Sequence, residues 1–354
     1  MQPLSIPGFF VYSVWQSDRN VFFNSHFVKR DAGNVLIDPL VMPDDDVAAI
    51  SGMGGVALVI VTNRDHERKS RDLAARFGAK IAASEGDAPL LSGPVDRVLR
   101  DGEEAFDGAL VIALRGLKSP GEIALSLPAH KAALVGDALW GDPAGAVRLL
   151  PDSKLLDPKA AVLSLRRLWA LRLETLLVGD GASIFGGADK VIGDYLQSRA
   201  DVYVNRINLD EIEPVSFNQH GGTYAARVFE VGFPIGARRL GYQFVTLEPG
   251  KSFCPLHSHE MEEEMFLVWE GQPTIRTPRG DFVCRRGDVI AFPIGDVGAH
   301  KLMNLSDAPA TIFLLGTEER NETAYYPDSN KVLVRSRRIR LRATPTLDYY
   351  DGEL

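Results

Sequence analysis

The chain has 354 residues, 45% apolar and 24% charged, and 39 basic against 47 acidic side chains leave a formal charge of −8. That length suits two domains, and the globular mix excludes a disordered tail, a collagen-like chain and a coiled coil. The acidic balance gives no electrostatic footprint for nucleic acid.

The opening residues carry no basic stretch ahead of an apolar core, so no signal peptide is expected. The longest apolar run, VALVIV at 56–61, suits a buried strand and is far too short to span a membrane. In chain order, residues 33–39 form a short apolar run closed by Asp-Pro. Residues 43–50 open with acids, as a helix start prefers. Residues 66–77 have helical spacing and stop at Gly78. Strands are predicted at 110–114, 123–127, 132–135 and 176–178. A long amphipathic helix is predicted at 157–173 and another helix at 189–198.

From about residue 202 the pattern changes to short β-rich runs divided by Gly, Pro and Asn: 241–247, 264–269, 274–277, 289–292 and 311–315. Such spacing points to a sandwich or barrel. A boundary within 197–205 divides the chain into domains at 1–200 and 201–354. The two cysteines, Cys254 and Cys284, build no disulfide framework, and a reducing cytoplasm fits.

Residues 250–271 read GKSFCPLHSHEMEEEMFLVWEG. On a strand His257 and His259 share a face, so both imidazoles can converge on one ion. Glu264 opens the next apolar run, with Glu262 and Glu263 as neighbouring alternatives, and His300 follows a turn holding Pro293 and Gly295. Three imidazoles and a carboxylate suit Fe, Mn, Co, Ni, Zn or Cu better than Ca or Mg. Strand alternation points Cys254 to the opposite face, as a buried structural thiol.

This region resembles a cupin, the small β-barrel superfamily. Gly250, His257, His259, Glu264 and Gly271 fill its first motif, and Gly287, Pro293, Gly295, His300 and Asn304 fill its second. The four residues between Gly295 and His300 exceed the usual gap. Residues 324–331 (AYYPDSNK) resemble the end of one cupin subgroup. The resemblance implies a double-stranded β-helix, or jelly-roll, barrel holding one divalent ion on His257, His259, Glu264 and His300. It also implies a homodimer and a small oxygen-bearing substrate or ligand, with dioxygenase, isomerase and lyase chemistry all in range.

The first half, with strand VALVIVT running into NRDHER, resembles the metallo-β-lactamase fold, an α+β sandwich of αββα layers. Where that family carries metal ligands, this chain carries Asn63, Asp65, Glu67, Arg68, Lys118, Asp137 and Asp180. Two cations would repel a zinc pair. The expectation is a degenerate site in which Arg68 and Lys118 pair with the aspartates, with no cofactor and no hydrolase activity. The opposing reading places one ion on Asp65, His66, Asp137 and Asp180. The basic run at 335–342 (RSRRIRLR) reads as an edge strand guarded by charge. His26, His130 and His220 are isolated. Two functions from different classes remain: a metal-dependent cupin enzyme, or a non-catalytic small-molecule sensor that uses the ion as an anchor. No nucleic-acid or membrane partner is expected.

Overall fold

A computed structural model describes residues 1–353. The chain forms two compact units, Met1–Val204 and a second beginning at Asn205.

The first unit is built on two sheets. One has seven strands in sequence order, from Gln2–Pro3 to Arg97–Leu99, antiparallel at first and parallel from Val35–Ile37 onward. The other has six strands, from Glu104–Phe106 across to Ile184–Phe185. The unbroken apolar run at 58–61 follows from burial on both faces. Ile60 packs with Val35, Ile37, Leu125 and Leu134 between the sheets. Val59 and Val61 pack instead under Val47, Ile50 and Leu73 of helices Asp44–Gly52 and Ser70–Phe77. On the far side Val162, Leu165, Ile192 and Leu196 cover Ala133, Val135 and Leu176. The layers are therefore α, β, β, α, as the resemblance implied.

Two expectations change in detail, and one element is new. The helix expected at 66–77 begins at Ser70, because Arg68 adopts a left-handed φ of 39° that no helix interior holds. The helix expected at 157–173 is two short pieces, Pro158–Ser164 and Arg166–Trp169. At Leu165 ψ tightens to −16° and Leu168 bonds back three residues rather than four. The hairpin of Phe9–Gln16 and Val21–Val28 was not expected at all. No helix among the described residues is long and apolar enough to cross a membrane.

The second unit is almost wholly β. Six antiparallel strands lie in the order Val215–Gln219, Tyr224–Glu230, Leu240–Leu247, Ala310–Thr317, Glu264–Glu270, Val289–Phe292. Two smaller sheets complete the unit: Ser258–His259 with Thr323–Tyr326, Lys331–Val334 and Ile339–Arg342, and Thr274–Thr277 between Gly280–Val283 and Lys301–Met303. Val245, Phe266, Val268, Ile275, Leu302 and Ile312 form the core. Strand alternation in Glu264–Glu270 turns Phe266 and Val268 inward and leaves Trp269 exposed. Glu264 shares the inward face at the end of that strand.

Candidate metal centre

His257 and His259 flank the buried Ser258 and point to one face, as residues two apart on a strand must. His257 and His300 are opposed across an antiparallel bridge, each N–H donating to the other's carbonyl (3.1 and 2.9 Å). The long gap before His300 is filled by a single 3₁₀ turn, Asp296–Gly298. A side chain at Gly298 would put its Cβ 1.7 Å from the Pro293 carbonyl oxygen, so only glycine closes this turn. Asn304 donates to the carbonyls of Leu247 (2.9 Å) and Ala308 (2.8 Å) and ties the strand end down.

The four side chains meet in one place. The His257 ring centre lies 4.8 Å from that of His259 and 4.7 Å from that of His300. Glu264 Oε2 lies 3.3 Å from His259 Nε2 and 3.0 Å from His300 Nε2. Those three atoms are buried and have no hydrogen-bond partner. Meanwhile every Nδ1 faces an acceptor: Pro255 O for His257 (3.0 Å), Glu322 Oε1 for His259 (3.2 Å) and Gly298 O for His300 (2.9 Å). Nδ1–H donation to these acceptors leaves each Nε2 lone pair aimed at the common centre, the arrangement a metal requires. The donor set fits a transition ion.

Burial, then the neighbouring imidazoles, push His257 down to about 4, so it is neutral near pH 7. Burial alone would raise Glu264, but His259 and His300 outweigh it and hold the carboxyl well below its usual range. Burial likewise opposes charge on His259, and Glu264, Glu322 and Glu262 reverse that. Glu262, the neighbouring alternative, faces a different nitrogen of His259 from the one Glu264 faces. It lies on the Nδ1 side of His259 (3.4 Å) and is held by Arg335 and the Glu319 N–H. Glu263 is exposed. The Cys254 thiol is raised to about 12 by burial, with the Glu264 charge adding to it.

The first unit holds a second cluster. Strand Leu58–Val61 leads to Asn63, whose Oδ1 accepts from the N–H groups of Asp65 (2.9 Å) and His66 (3.1 Å). The turn so capped throws His66 inward. His66 Nδ1 lies 2.8 Å from Asp38 Oδ2, and its Nε2 lies 3.6 Å from Asp137 and 3.4 Å from Asp180. Arg68 Nη2 stands 3.1 Å from His66 Nε2 and 3.4 Å from Asp180 Oδ1. Its Nη1 donates to the Asn24 carbonyl (2.9 Å), and the guanidinium covers the Phe23 ring. Lys118 pairs with Asp65 at 2.8 Å. Arg68 and His66 thus converge on Asp180, with Asp137 beside His66, while Lys118 pairs with Asp65 and lines the same cavity. That cavity, of about 390 Å³, is lined by Arg19, His66, Arg68, Lys118, Asp137 and Asp180 among others.

A family model described as the metallo-beta-lactamase superfamily matches residues 1–198, more than half of the chain. The chain belongs to that superfamily. A model described as a cupin domain matches residues 243–316, so two folds are fused. No curated protein matches. Similar solved structures include a sugar phosphate isomerase from a cupin superfamily of Silicibacter pomeroyi, 29% identical, covering 41% of this chain and 98% of its own, TM-score 0.36. A metallo-beta-lactamase from Pontibacter korlensis is 17% identical over 56% of this chain and 98% of its own, TM-score 0.47. A metallo-beta-lactamase family protein from Thermus thermophilus is 17% identical over 53% and 78%, TM-score 0.42.

Several residues of these two domains escaped the sequence reading. In the metallo-beta-lactamase domain, Asp38 orients His66, and only its place closing an apolar run hinted at a role. The buried Glu122, whose Oε1 accepts from the Ala138 N–H (3.2 Å), carried no signal. In the cupin domain Glu322, wholly buried behind His259, belongs to neither motif.

Proposed function

We propose that the cupin domain holds one divalent transition ion on His257, His259, Glu264 and His300 and acts on a small oxygen-bearing substrate, as a dioxygenase, isomerase or lyase. The observation that supports this is the convergence of His259 Nε2, Glu264 Oε2 and His300 Nε2, all buried and unpartnered, with each Nδ1 bonded elsewhere. When bound, such an ion supplies Lewis acidity toward a substrate oxygen. The chain's own residues prepare the site. Glu322 and the carbonyls of Pro255 and Gly298 fix the three rings. Phe292, stacked 3.8 Å from the His300 ring centre, and Phe266, edge-on at 5.2 Å, exclude water from that side.

We further infer that the metallo-beta-lactamase domain takes no metal and performs no hydrolysis. Arg68 supplies positive charge beside His66 Nε2 and Asp180 Oδ1, where an ion would otherwise be needed. One experiment addresses both statements. The full chain, purified without added metal, is expected to carry about one transition ion, and the His257→Ala, His259→Ala double variant none. Unchanged metal in the variant overturns the ligand set. Stoichiometric zinc in the variant that Asp137→Ala then removes overturns the metal-free first domain.

A further inference from the structure

Strands Lys331–Val334 and Ile339–Arg342 pair so that Lys331 lies directly opposite Arg342. Arg340, two residues from Arg342, shares its face. Like charges facing each other across a ladder repel. Even so, among the described residues no carboxylate lies within ion-pair distance of Lys331, Arg340 or Arg342. Acids do stand nearby, but they are committed: Asp328 is held by Arg276 (2.8 and 3.0 Å) and Glu262 by Arg335. Guarding a sheet edge explains charge on Ile339–Arg342, the outermost strand, but not Lys331 on the strand inside it.

The three cations, with Ser329 and Leu341, line a cavity of about 400 Å³. Tyr326 connects it to the candidate metal centre. Lys331 Nζ sits 5.2 Å from the Tyr326 ring centre, the Arg340 charge lies close enough to act on the phenol, and the other end of the contact chain is His257, stacked on Tyr326 at 5.8 Å. We propose that Lys331, Arg340 and Arg342 form a binding site for the phosphate or carboxylate group of a small-molecule substrate whose remainder reaches past Tyr326 toward His257. Unopposed guanidinium and ammonium donors recognise such an anion by charge-assisted hydrogen bonds. A small ligand suits the site better than a polyanion, because three cations on a chain of net charge −8 cannot offset its long-range repulsion. The direction toward His257 rests on the metal reading above; the anion site does not.

Calorimetry on the full chain, with inorganic phosphate and acetate titrated against chloride at equal ionic strength, tests this. Saturable binding of phosphate or acetate is expected, and the tighter of the two identifies the group. Lys331→Gln with Arg342→Gln should weaken it about tenfold or more, while Lys331→Arg with Arg342→Lys keeps the charge and the binding. Elemental analysis of the same samples reads the metal separately, so phosphate bound by metal-free chain supports this site even if the metal reading fails. No binding beyond chloride overturns the proposal. So does binding that survives the glutamine variant and vanishes on chelation, or an RNA oligomer that binds more tightly than phosphate.

Discussion

At the scale of single residues, the proposed chemistry depends on what stands behind the candidate ligand atoms. Glu322 accepts from the backbone N–H groups of Glu260 (3.1 Å) and Met261 (3.0 Å) and from His259 Nδ1, so its position is fixed before any ion arrives. A carboxylate behind a ligand imidazole sets its tautomer and raises its basicity. Glu322→Gln should therefore weaken metal affinity by roughly 10–100-fold, measured by competition with a chelator, with the fold kept. An unchanged affinity would leave Glu322 a purely structural group. Glu122 makes a different kind of statement. Burial, and the nearby Asp137, raise its carboxyl well above the ordinary range. The folded chain then holds a proton that the unfolded chain releases, so stability is full below the ordinary carboxyl pKa and falls as pH rises toward the raised one. The slope is about 1.4 kcal/mol per pH unit for one proton. Urea unfolding of wild type and Glu122→Gln at several pH values should show that slope in the difference between their stabilities, which cancels the titration of the other groups; a difference that does not change with pH would mean Glu122 is ionised in the folded chain.

At the scale of elements, the turn Asp296–Gly298 is what delivers His300. Gly295 donates its N–H to the His259 carbonyl (2.7 Å), and Gly298 closes the turn against Pro293. Gly298→Ala leaves all four candidate ligands in the sequence but displaces the backbone that carries one of them. Metal content should fall sharply while the far-ultraviolet circular dichroism stays β-rich; full occupancy would mean the turn adapts. The same element shows how far the motif could be read. The order Gly, Pro, Gly, His, Asn located the turn and the strand after it, and the extra residues were visible as a gap. That they form a 3₁₀ turn keeping His300 in register with His257 was not legible, because register is fixed by the ladder and not by spacing alone.

At the scale of the whole molecule, the homodimer expected from the cupin resemblance carries a test of its own. The cupin domain exposes Trp269 on the outer face of its large sheet, edge-on to Phe244, with Val289 exposed on the same sheet. Sedimentation should report a dimer and Trp269→Glu should shift it toward monomer; a wild-type monomer would sink the expectation. The sequence by itself determined the two folds, the residue types of the candidate cupin metal site and the loss of the zinc-ligand pattern, because strand alternation, turn glycines and missing histidines are written in local order. Only the tertiary structure decided that His66, outside the family's ligand register, stands at the hub of Asp38, Asp137, Asp180 and Arg68. It alone placed Glu322 behind His259 and lined up Lys331 with Arg342. Those partners lie far apart in the chain and meet only because sheet packing brings them together, and no local pattern encodes that.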